Sequence, residues 1–329
     1  MVQILSSICC IRYQPLFFIV ASLSLHHCGV NTLNSINDGE NISSLNFKIQ
    51  YMKKVWLITG CSTGFGRALA KEVLATGNRV AVGSRNTSDV EDIVSAYPDN
   101  AMAVKLDVTN AVQVKEAVNA TINKWGQIDV LVNNAGIGYF AAVEESEEVE
   151  VRRMFEINVF GLARMTQEVI PFMRKRKSGH ILNISSIGGL RSFPGVGFYN
   201  STKYAVDGLS ESLYKEVSPL GIKVTIIAPS GFRTDWAGRS AKDSSVKIED
   251  YAATAGKNRG DIRGYSGNQP GDPVRAAKAM IAVTEVENPP LRLLLGAAAL
   301  KGARIKLEEL KHDFDTWASV SEGADFPKE

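Results

Sequence analysis

Tyr199 and Lys203 are the residues whose types and spacing most readily support chemistry in this sequence. A phenol and an amine four positions apart on a helix share one face and can lie a few ångströms apart. The pKa of a free phenol is about 10, too high for efficient proton transfer at neutral pH, and a neighbouring ammonium lowers it. Taken alone, the pair could also be two surface residues of an amphipathic helix.

Two further polar residues could complete a proton-transfer site. Ser186 follows a predicted strand, so its hydroxyl is expected at the carboxyl edge of the sheet, where it could hold a substrate oxygen beside the phenol. Asn158 lies in an apolar stretch of a predicted helix, and a buried amide needs a partner. That amide could position a water that links Lys203 to solvent, or it could be satisfied by neighbouring backbone.

A glycine-rich turn follows the first predicted strand and opens a helix. Glycines there let the backbone approach a pyrophosphate, and the free N–H groups at the helix start face the anion. Loops also use glycine for many other reasons, but the flanking strand and helix favour a dinucleotide site. The residues concerned are Gly60, Ser62, Thr63, Gly64, Phe65 and Gly66.

The end of the second predicted strand bears on which dinucleotide binds. A carboxylate there favours the free 2′-hydroxyl of NAD(H), whereas a cation favours the 2′-phosphate of NADP(H). Ser84 takes the acidic position and Arg85 follows it, so NADP(H) is favoured and NAD(H) is possible. The alternative is that Arg85 is a solvent-exposed loop residue.

Polar residues also follow the third and fourth predicted strands. Asp107, ahead of Val108, could accept a hydrogen bond from an adenine amino group or could cap the next helix. The amides after the fourth strand could lock neighbouring strands and line the cofactor cleft, or they could form an ordinary turn. That run is Asn133, Asn134, Ala135 and Gly136.

Apolar strands alternate with amphipathic helices along the chain from residue 52. This order predicts a single α/β Rossmann-type doubly wound domain over residues 52–329, with a parallel seven-stranded sheet flanked by helices. The predicted strands cover residues 55–59, 79–83, 101–106, 128–132, 179–184, 223–228 and 291–295. The predicted helices cover residues 64–76, 110–124, 150–175 with a break near Pro171, 199–217 and 273–284, with another at the C-terminus. The long stretch 231–272 between elements is expected to close over a substrate.

Composition narrows the functional class. The 37 basic and 35 acidic residues nearly cancel, and the basic residues form no long stripe beyond the short run 174–177, so nucleic acid is not an expected partner. Three of the four cysteines precede residue 52, and no metal-ligand spacing occurs. The main domain therefore fits a reducing, cytoplasmic compartment.

Residues 1–51 differ in composition from the rest of the chain. Their apolar run, residues 15–25, is shorter than the roughly 20 residues that a spanning helix needs, and the stretch 31–44 is polar. We interpret residues 1–51 as a leader, a disordered extension or a mis-assigned start. A signal or anchor is an open alternative, and no membrane association is firmly indicated.

These motifs together resemble the short-chain dehydrogenase/reductase family, in order and in spacing, over residues 52 to about 300. They are the turn 59–66, the run Asn133–Gly136, Asn158, Ser186 and the Tyr199–Lys203 pair. The resemblance implies an NAD(P)-binding Rossmann fold, a small-molecule carbonyl or alcohol substrate, and a homodimer or homotetramer.

The resemblance also implies individual roles. Tyr199 would be the general acid/base, Lys203 a ribose ligand and pKa modifier, Ser186 the substrate-oxygen ligand and Asn158 a proton-relay residue. After the sixth strand, the family's Pro-Gly is replaced here by Pro229, Ser230 and Gly231. The following Thr234 still fits the position that contacts the nicotinamide carboxamide, and Phe232 is a further expected cofactor contact. The run from Phe232 to Asp235 and the long C-terminal segment resemble the hydroxysteroid and retinol dehydrogenase-like branch.

The expected reaction is hydride transfer between a nicotinamide and a carbonyl or a primary or secondary alcohol. One alternative is a regulatory protein that binds dinucleotide without turnover, although such relatives tend to lose Ser186, Tyr199 or Lys203. Another is a dehydratase or epimerase, which the spacing of Gly60, Gly64 and Gly66 disfavours because those enzymes carry a different glycine turn.

Overall fold

The computed structural model describes residues 53–326, so the expectations for residues 1–51 lie outside the described residues. The strands are β1 (Val55–Ile58), β2 (Arg79–Ser84), β3 (Ala101–Lys105), β4 (Val130–Asn133), β5 (Gly138–Phe140), β6 (Gly179–Ile184), β7 (Ile222–Pro229), β8 (Ala241–Asp243) and β9 (Arg292–Leu295). The α-helices are α1 (Gly64–Ala75), α2 (Glu91–Ala96), α3 (Ala111–Trp125), α4 (Glu148–Phe155), α5 (Leu162–Arg176), α6 (Gly197–Val217), α7 (Lys257–Gly264), α8 (Pro273–Glu285), α9 (Ala297–Thr316) and α10 (Ala318–Glu322).

Seven parallel strands form the central sheet, in the order β3-β2-β1-β4-β6-β7-β9. The strand order reverses between β1 and β4, and ligands of such sheets bind outside the carboxyl ends of the strands at that point. The predicted α/β fold and its seven-stranded parallel sheet are confirmed.

The sheet is apolar on both faces because helices cover both. Trp56 and Leu57 are adjacent on β1 and fully buried, yet they belong to two different apolar clusters. The Trp56 cluster includes residues of α1 and α8, and the Leu57 cluster includes residues of α3, α5 and α6. This two-sided burial explains why the strands are continuous apolar runs in the sequence.

The long predicted helix over residues 150–175 is interrupted, but not where the sequence suggested. A π-helical turn, Glu156–Gly161, separates α4 from α5, while Pro171 lies inside α5 without ending it. The prediction of a break near Pro171 is therefore wrong. Such π-turns often occur at functional sites, and this one carries Asn158.

The stretch 231–272 has more structure than a loop. It contains β8 and α7, and β8 pairs in parallel with β5 to form a second, two-stranded sheet. Buried Glu145 accepts hydrogen bonds from the backbone N–H groups of Ala142 and Ile248 and pairs with Arg259 at 3.3 Å. These contacts fix the middle of the stretch to the segment after β5. Among residues 53–326, no helix is both long and apolar enough to cross a membrane.

Candidate active site

A cleft of about 1560 Å³ opens at the carboxyl ends of the sheet strands. It exceeds the roughly 300–1,000 Å³ of an ordinary ligand pocket, so it has room for an extended ligand and a second molecule. Most residues predicted for the site line it, namely Gly60, Ser62, Thr63, Gly64, Phe65, Ser84, Arg85, Asp107, Val108, Asn134, Ala135, Gly136, Ser186, Tyr199, Lys203, Pro229, Gly231, Phe232 and Thr234. Gly66 and Asn158 do not line it; both lie behind its wall.

The glycine turn has the backbone that an anion site requires. Gly60 and Gly64 have φ values of 70° and 58°, in the left-handed region that side chains rarely adopt. Gly66 has a different task, because a Cβ there would lie 2.4 Å from both the Asn134 amide nitrogen and the Gly60 carbonyl oxygen. Gly66 is therefore required for close packing beneath the turn, and its contact with a cofactor stays a prediction.

Asn134 holds this turn from the neighbouring strand. Its side-chain amide donates to the carbonyl oxygens of Thr59 and Gly60 at 2.8 and 2.9 Å. The Thr59 hydroxyl in turn accepts from the backbone N–H groups of Asn134 and Ala135. The adjacent Asn133 donates to Asn183 on β6, so the expected locking of neighbouring strands is present.

The part of the cleft that follows β2 contains a cationic side chain, Arg85. Arg85 lines the cleft, and no carboxylate of the described residues lies within 4.0 Å of its guanidinium. Arg67 also lines the cleft, but its guanidinium is paired with Asp92 at 2.5 Å. Arg85 is therefore the better placed of the two to meet an added anionic group.

Asp107 does not cap the helix that follows, which corrects one of its two expected roles. Asn110 caps α3 by accepting from the N–H groups of Val112 and Gln113. Asp107 Oδ1 accepts from the N–H and the hydroxyl of Thr109 instead. Burial acts against the charged form, but these bonds and the nearby Arg85 charge hold the pKa of Asp107 below its usual value.

Tyr199, Ser186 and Lys203 meet at the centre of the cleft. Tyr199 lies in the first turn of α6, and Ser186 is the second residue after β6, near the carboxyl edge of the sheet as expected. The Ser186 hydroxyl oxygen accepts from the Gly188 N–H at 3.0 Å. Burial raises the pKa of the Tyr199 phenol, and the Ser186 hydroxyl beside it opposes that rise.

Lys203 is buried, and its amine donates to the Ile184 carbonyl oxygen at 2.8 Å. The amine lies 5.7 Å from the centroid of the Tyr199 ring. Burial lowers the pKa of Lys203 to about 8, and the charge of Asp207 acts in the opposite direction. Desolvation of the phenol outweighs the other effects on Tyr199 in this structure, and the lowering of its pKa by Lys203 stays a prediction.

Asn158 connects the π-turn to the segment after β4. Its side-chain oxygen accepts from the Ile137 N–H at 2.9 Å, and its amide donates to the Ile137 carbonyl at 3.0 Å and to Thr202 at 3.2 Å. The amide of Asn158 is therefore hydrogen-bonded to neighbouring backbone, which was one of the two hypotheses for this residue. Its role in a water relay stays a prediction.

The extra residue after Pro229 is accommodated by the last strand. Ser230 donates its N–H to the Leu295 carbonyl at 3.0 Å, and its hydroxyl lies where a Cβ on Gly296 would clash at 2.4 Å. Gly231, Phe232 and Thr234 still line the cleft. The inserted serine therefore changes the contact with β9 and leaves the cleft-lining segment in place.

Sequence reasoning missed one wall of the cleft, which α9 contributes. The spacing i, i+3, i+4, i+7 of its cleft-lining residues is that of a single helix face and was readable in the sequence. Gly302 of this face packs on Ile187, the residue after Ser186. The face consists of Ala298, Lys301, Gly302 and Ile305.

Comparison with known proteins agrees with this geometry. The family model described as short chain dehydrogenase matches residues 54–245. Oxidoreductase BOA17 of Botryotinia fuckeliana (strain B05.10) is 38% identical over 271 residues, which cover 82% of this chain and 98% of that protein. The crystal structure of a short-chain dehydrogenase from Streptomyces avermitilis is 43% identical, covers 84% of this chain and 99% of its own, and has a TM-score of 0.79.

Two further solved structures are described with their cofactors. A short chain dehydrogenase/reductase from Burkholderia phymatum, in complex with NAD, is 25% identical, covers 79% of this chain and 95% of its own, and has a TM-score of 0.70. ElxO with NADP bound is 30% identical, covers 76% of this chain and 100% of its own, and has a TM-score of 0.63.

Proposed function

The chain belongs to the short-chain dehydrogenase family of oxidoreductases, and we propose that it interconverts a carbonyl and an alcohol with NADP(H), Tyr199 being the general acid/base. The observation that carries this proposal is the convergence of Tyr199, Ser186 and Lys203 on the cleft that the glycine turn opens into. The domain that does this is residues 52–329.

The cleft residues fit a dinucleotide. The left-handed glycines and the first N–H groups of α1 suit a pyrophosphate, and Asp107 and Val108 suit the adenine end. Asn134, Ala135, Gly136 and the segment from Pro229 to Thr234 would flank the nicotinamide end. When bound, the nicotinamide supplies or accepts the hydride; the protein supplies position and electrostatics.

In the direction of reduction, Ser186 and Tyr199 hold the carbonyl oxygen and Tyr199 donates its phenolic proton to it. The raised pKa of the buried phenol keeps it protonated and therefore able to donate. The Lys203 ammonium lies close enough to stabilise the phenolate that results. Asn158 would complete the proton path by fixing the backbone at Ile137 and holding a water near Lys203.

NADP(H) is preferred in this proposal because Arg85 is a cleft-lining cation whose charge is not already paired with a carboxylate of the described residues. NAD(H) is the alternative cofactor, since solved structures of similar fold are described with either dinucleotide. The family resemblance further supports a homodimer or homotetramer, and the scarcity of cysteine after residue 52 supports a cytoplasmic location. Membership of the hydroxysteroid and retinol dehydrogenase-like branch stays a prediction.

Substitution of the phenol tests the proposal directly. We expect Tyr199→Phe to bind NADPH with near-normal affinity but to lose about 10²- to 10⁴-fold in kcat on a panel of ketones and aldehydes followed by NADPH absorbance. Tyr214→Phe is the matched control, because Tyr214 lies on the same helix and is 38% exposed. Near-normal turnover by Tyr199→Phe would reject the assignment.

A further inference from the structure

A buried acid lies one helical turn beyond Lys203. Asp207 is on the same face of α6 and is only 4% exposed. Burial raises the pKa of the Asp207 carboxyl, and the Ser185 hydroxyl and the Arg292 charge oppose that rise, so the acid depends on its counter-charge to stay ionised. Neither the proton-transfer site nor the cofactor pocket described above includes it.

The counter-charge comes from the last strand of the sheet. Arg292, the first residue of β9, donates to Asp207 Oδ2 through Nη2 at 3.1 Å and through Nε at 3.3 Å. The same guanidinium pairs with Glu211 at 2.7 Å, and the Glu211 side chain is 46% exposed. Arg292 thus joins one buried and one half-exposed carboxylate on successive turns of α6.

The other oxygen of Asp207 faces the active site. Asp207 Oδ1 and the Ser185 hydroxyl lie against Gly189, where a Cβ would be 3.0 Å from the first and 2.7 Å from the second. Gly189 belongs to the turn that follows Ser186, so the acid contacts the same turn as the residue proposed to hold the substrate oxygen.

Among the described residues, the groups that act on the Lys203 amine come from α6 and β6. On its own helix it faces Tyr199 on one side and Asp207 on the other, and the charge of Asp207 raises the pKa of the Lys203 amine while burial lowers it. From β6 it meets only the Ile184 carbonyl oxygen. Arg292 of β9 acts on Lys203 through Asp207.

We propose that Asp207, balanced by Arg292, is a positioning residue that keeps the Lys203 amine in its charged form, in which it can bind a cofactor ribose and stabilise the Tyr199 phenolate. The inference rests on the proposed function. Arg292, on the last strand of the sheet, thereby influences the charge of the Lys203 amine through Asp207.

The pH dependence of NADPH binding tests this inference. Burial lowers the pKa of Lys203 to about 8 in the wild-type protein, so affinity is expected to fall as the amine deprotonates above that pH. Removing the acid charge in Asp207→Asn should move the midpoint of this fall downward by about one pH unit. The readout is the NADPH dissociation constant from pH 6 to 10, by fluorescence titration of the full-length protein.

Glu211→Gln is the matched control. It removes the other carboxylate on Arg292, one turn farther from Lys203, so the midpoint should move much less than in Asp207→Asn. Asp207→Glu keeps the charge and should restore the wild-type midpoint. A lower affinity or melting temperature in Asp207→Asn with an unchanged midpoint would mean that Asp207 only anchors β9, and would overturn the inference.

If Asp207→Asn does not fold, Arg292→Lys carries the test. A shorter cation balances Asp207 less closely, so the buried acid is less ionised and the midpoint should fall, as in Asp207→Asn; an unmoved midpoint also overturns the inference. Because binding is measured without turnover, a wild-type protein that binds NADPH but reduces no carbonyl would contradict the proposed function and leave this measurement intact.

Discussion

The indole of Trp236 lies against the phenol of Tyr199, with ring centroids 4.8 Å apart and planes inclined by 50°. The indole also packs edge-on to Phe140 at 5.5 Å and would be 3.1 Å from a Cβ on Gly138. Since both Trp236 and Tyr199 line the cleft, the indole forms the wall next to the proposed proton donor. It is thus placed to limit the size of one substituent on a bound carbonyl.

Trp236→Ala should therefore widen the acceptance of bulky substrates. We expect the ratio of kcat/KM for a ketone with a bulky group beside the carbonyl to that for a small ketone to rise about tenfold or more. Trp236→Phe, which keeps a ring in place, should show a smaller change. Trp317→Ala is the surface control, because Trp317 is 62% exposed on the C-terminal side of α9. An unchanged ratio in Trp236→Ala would rule out this wall as a selector.

Arg85 should select the dinucleotide. We expect Arg85→Asp to lower kcat/KM for NADPH by about ten- to a hundredfold, the value of a lost charge-assisted hydrogen bond, and to shift preference toward NADH. Arg67 should not substitute for it, because its guanidinium is held by Asp92 and by the Asp89 carbonyl. Arg85→Lys is the matched variant that keeps the charge. If the ratio of kcat/KM for NADPH to kcat/KM for NADH stays the same in Arg85→Asp, the 2′-phosphate is bound elsewhere.

The parts of the fold that were predictable depend on local pattern. Both neighbours on β1, Trp56 and Leu57, are buried, so the strand is apolar throughout and could be recognised from its four residues. The pairing of β5 with β8 was not predictable, because it joins Gly138 to Ala241 across a hundred residues of chain. The π-turn was missed for a related reason: Asn158 is held by Ile137 on another segment, and no local breaker marks it.

In the site, too, the features set by local sequence were predictable and those set by distant contacts were not. Tyr199 and Lys203 were identifiable because their spacing on one helix expresses their proximity directly. Trp236 approaches Tyr199 only after the chain has returned from β7. The effect of burial on the phenol could not be anticipated either, since desolvation depends on the whole surrounding structure.

Asn158 should matter for stability as well as for activity. Asn158→Ala leaves the Ile137 N–H and carbonyl without their side-chain partners in a part-buried position. Each such group costs about 1–3 kcal/mol, so urea unfolding should show a clear loss of stability, and kcat should fall as the π-turn relaxes. Asn119→Ala, on the exposed face of α3, is the control. Equal unfolding free energies for wild type and Asn158→Ala would contradict this role.

His180 should make the protein sensitive to acid. It is 4% exposed on β6, and one ring nitrogen, Nε2, lies 2.9 Å from the Thr225 hydroxyl. Among residues 53–326, the other ring nitrogen, Nδ1, has no hydrogen-bond partner. Burial, reinforced by the charges of Lys223 and Lys54, lowers the pKa of His180 from 6.5 to about 4.

The folded protein therefore binds this proton only near pH 4, whereas the unfolded chain binds it near pH 6.5. The stabilisation is fully present above pH 6.5 and is lost as the pH falls toward 4, because the unfolded state then binds more protons. At pH 4.5 the loss should be about 2–3 kcal/mol relative to pH 7. Urea unfolding of His180→Gln at both pH values should show a correspondingly smaller drop than the wild type. The control is His312→Gln, at an exposed position on α9, which should lose as much stability as the wild type. If the wild type and His180→Gln lose the same unfolding free energy between the two pH values, other groups cause the acid sensitivity.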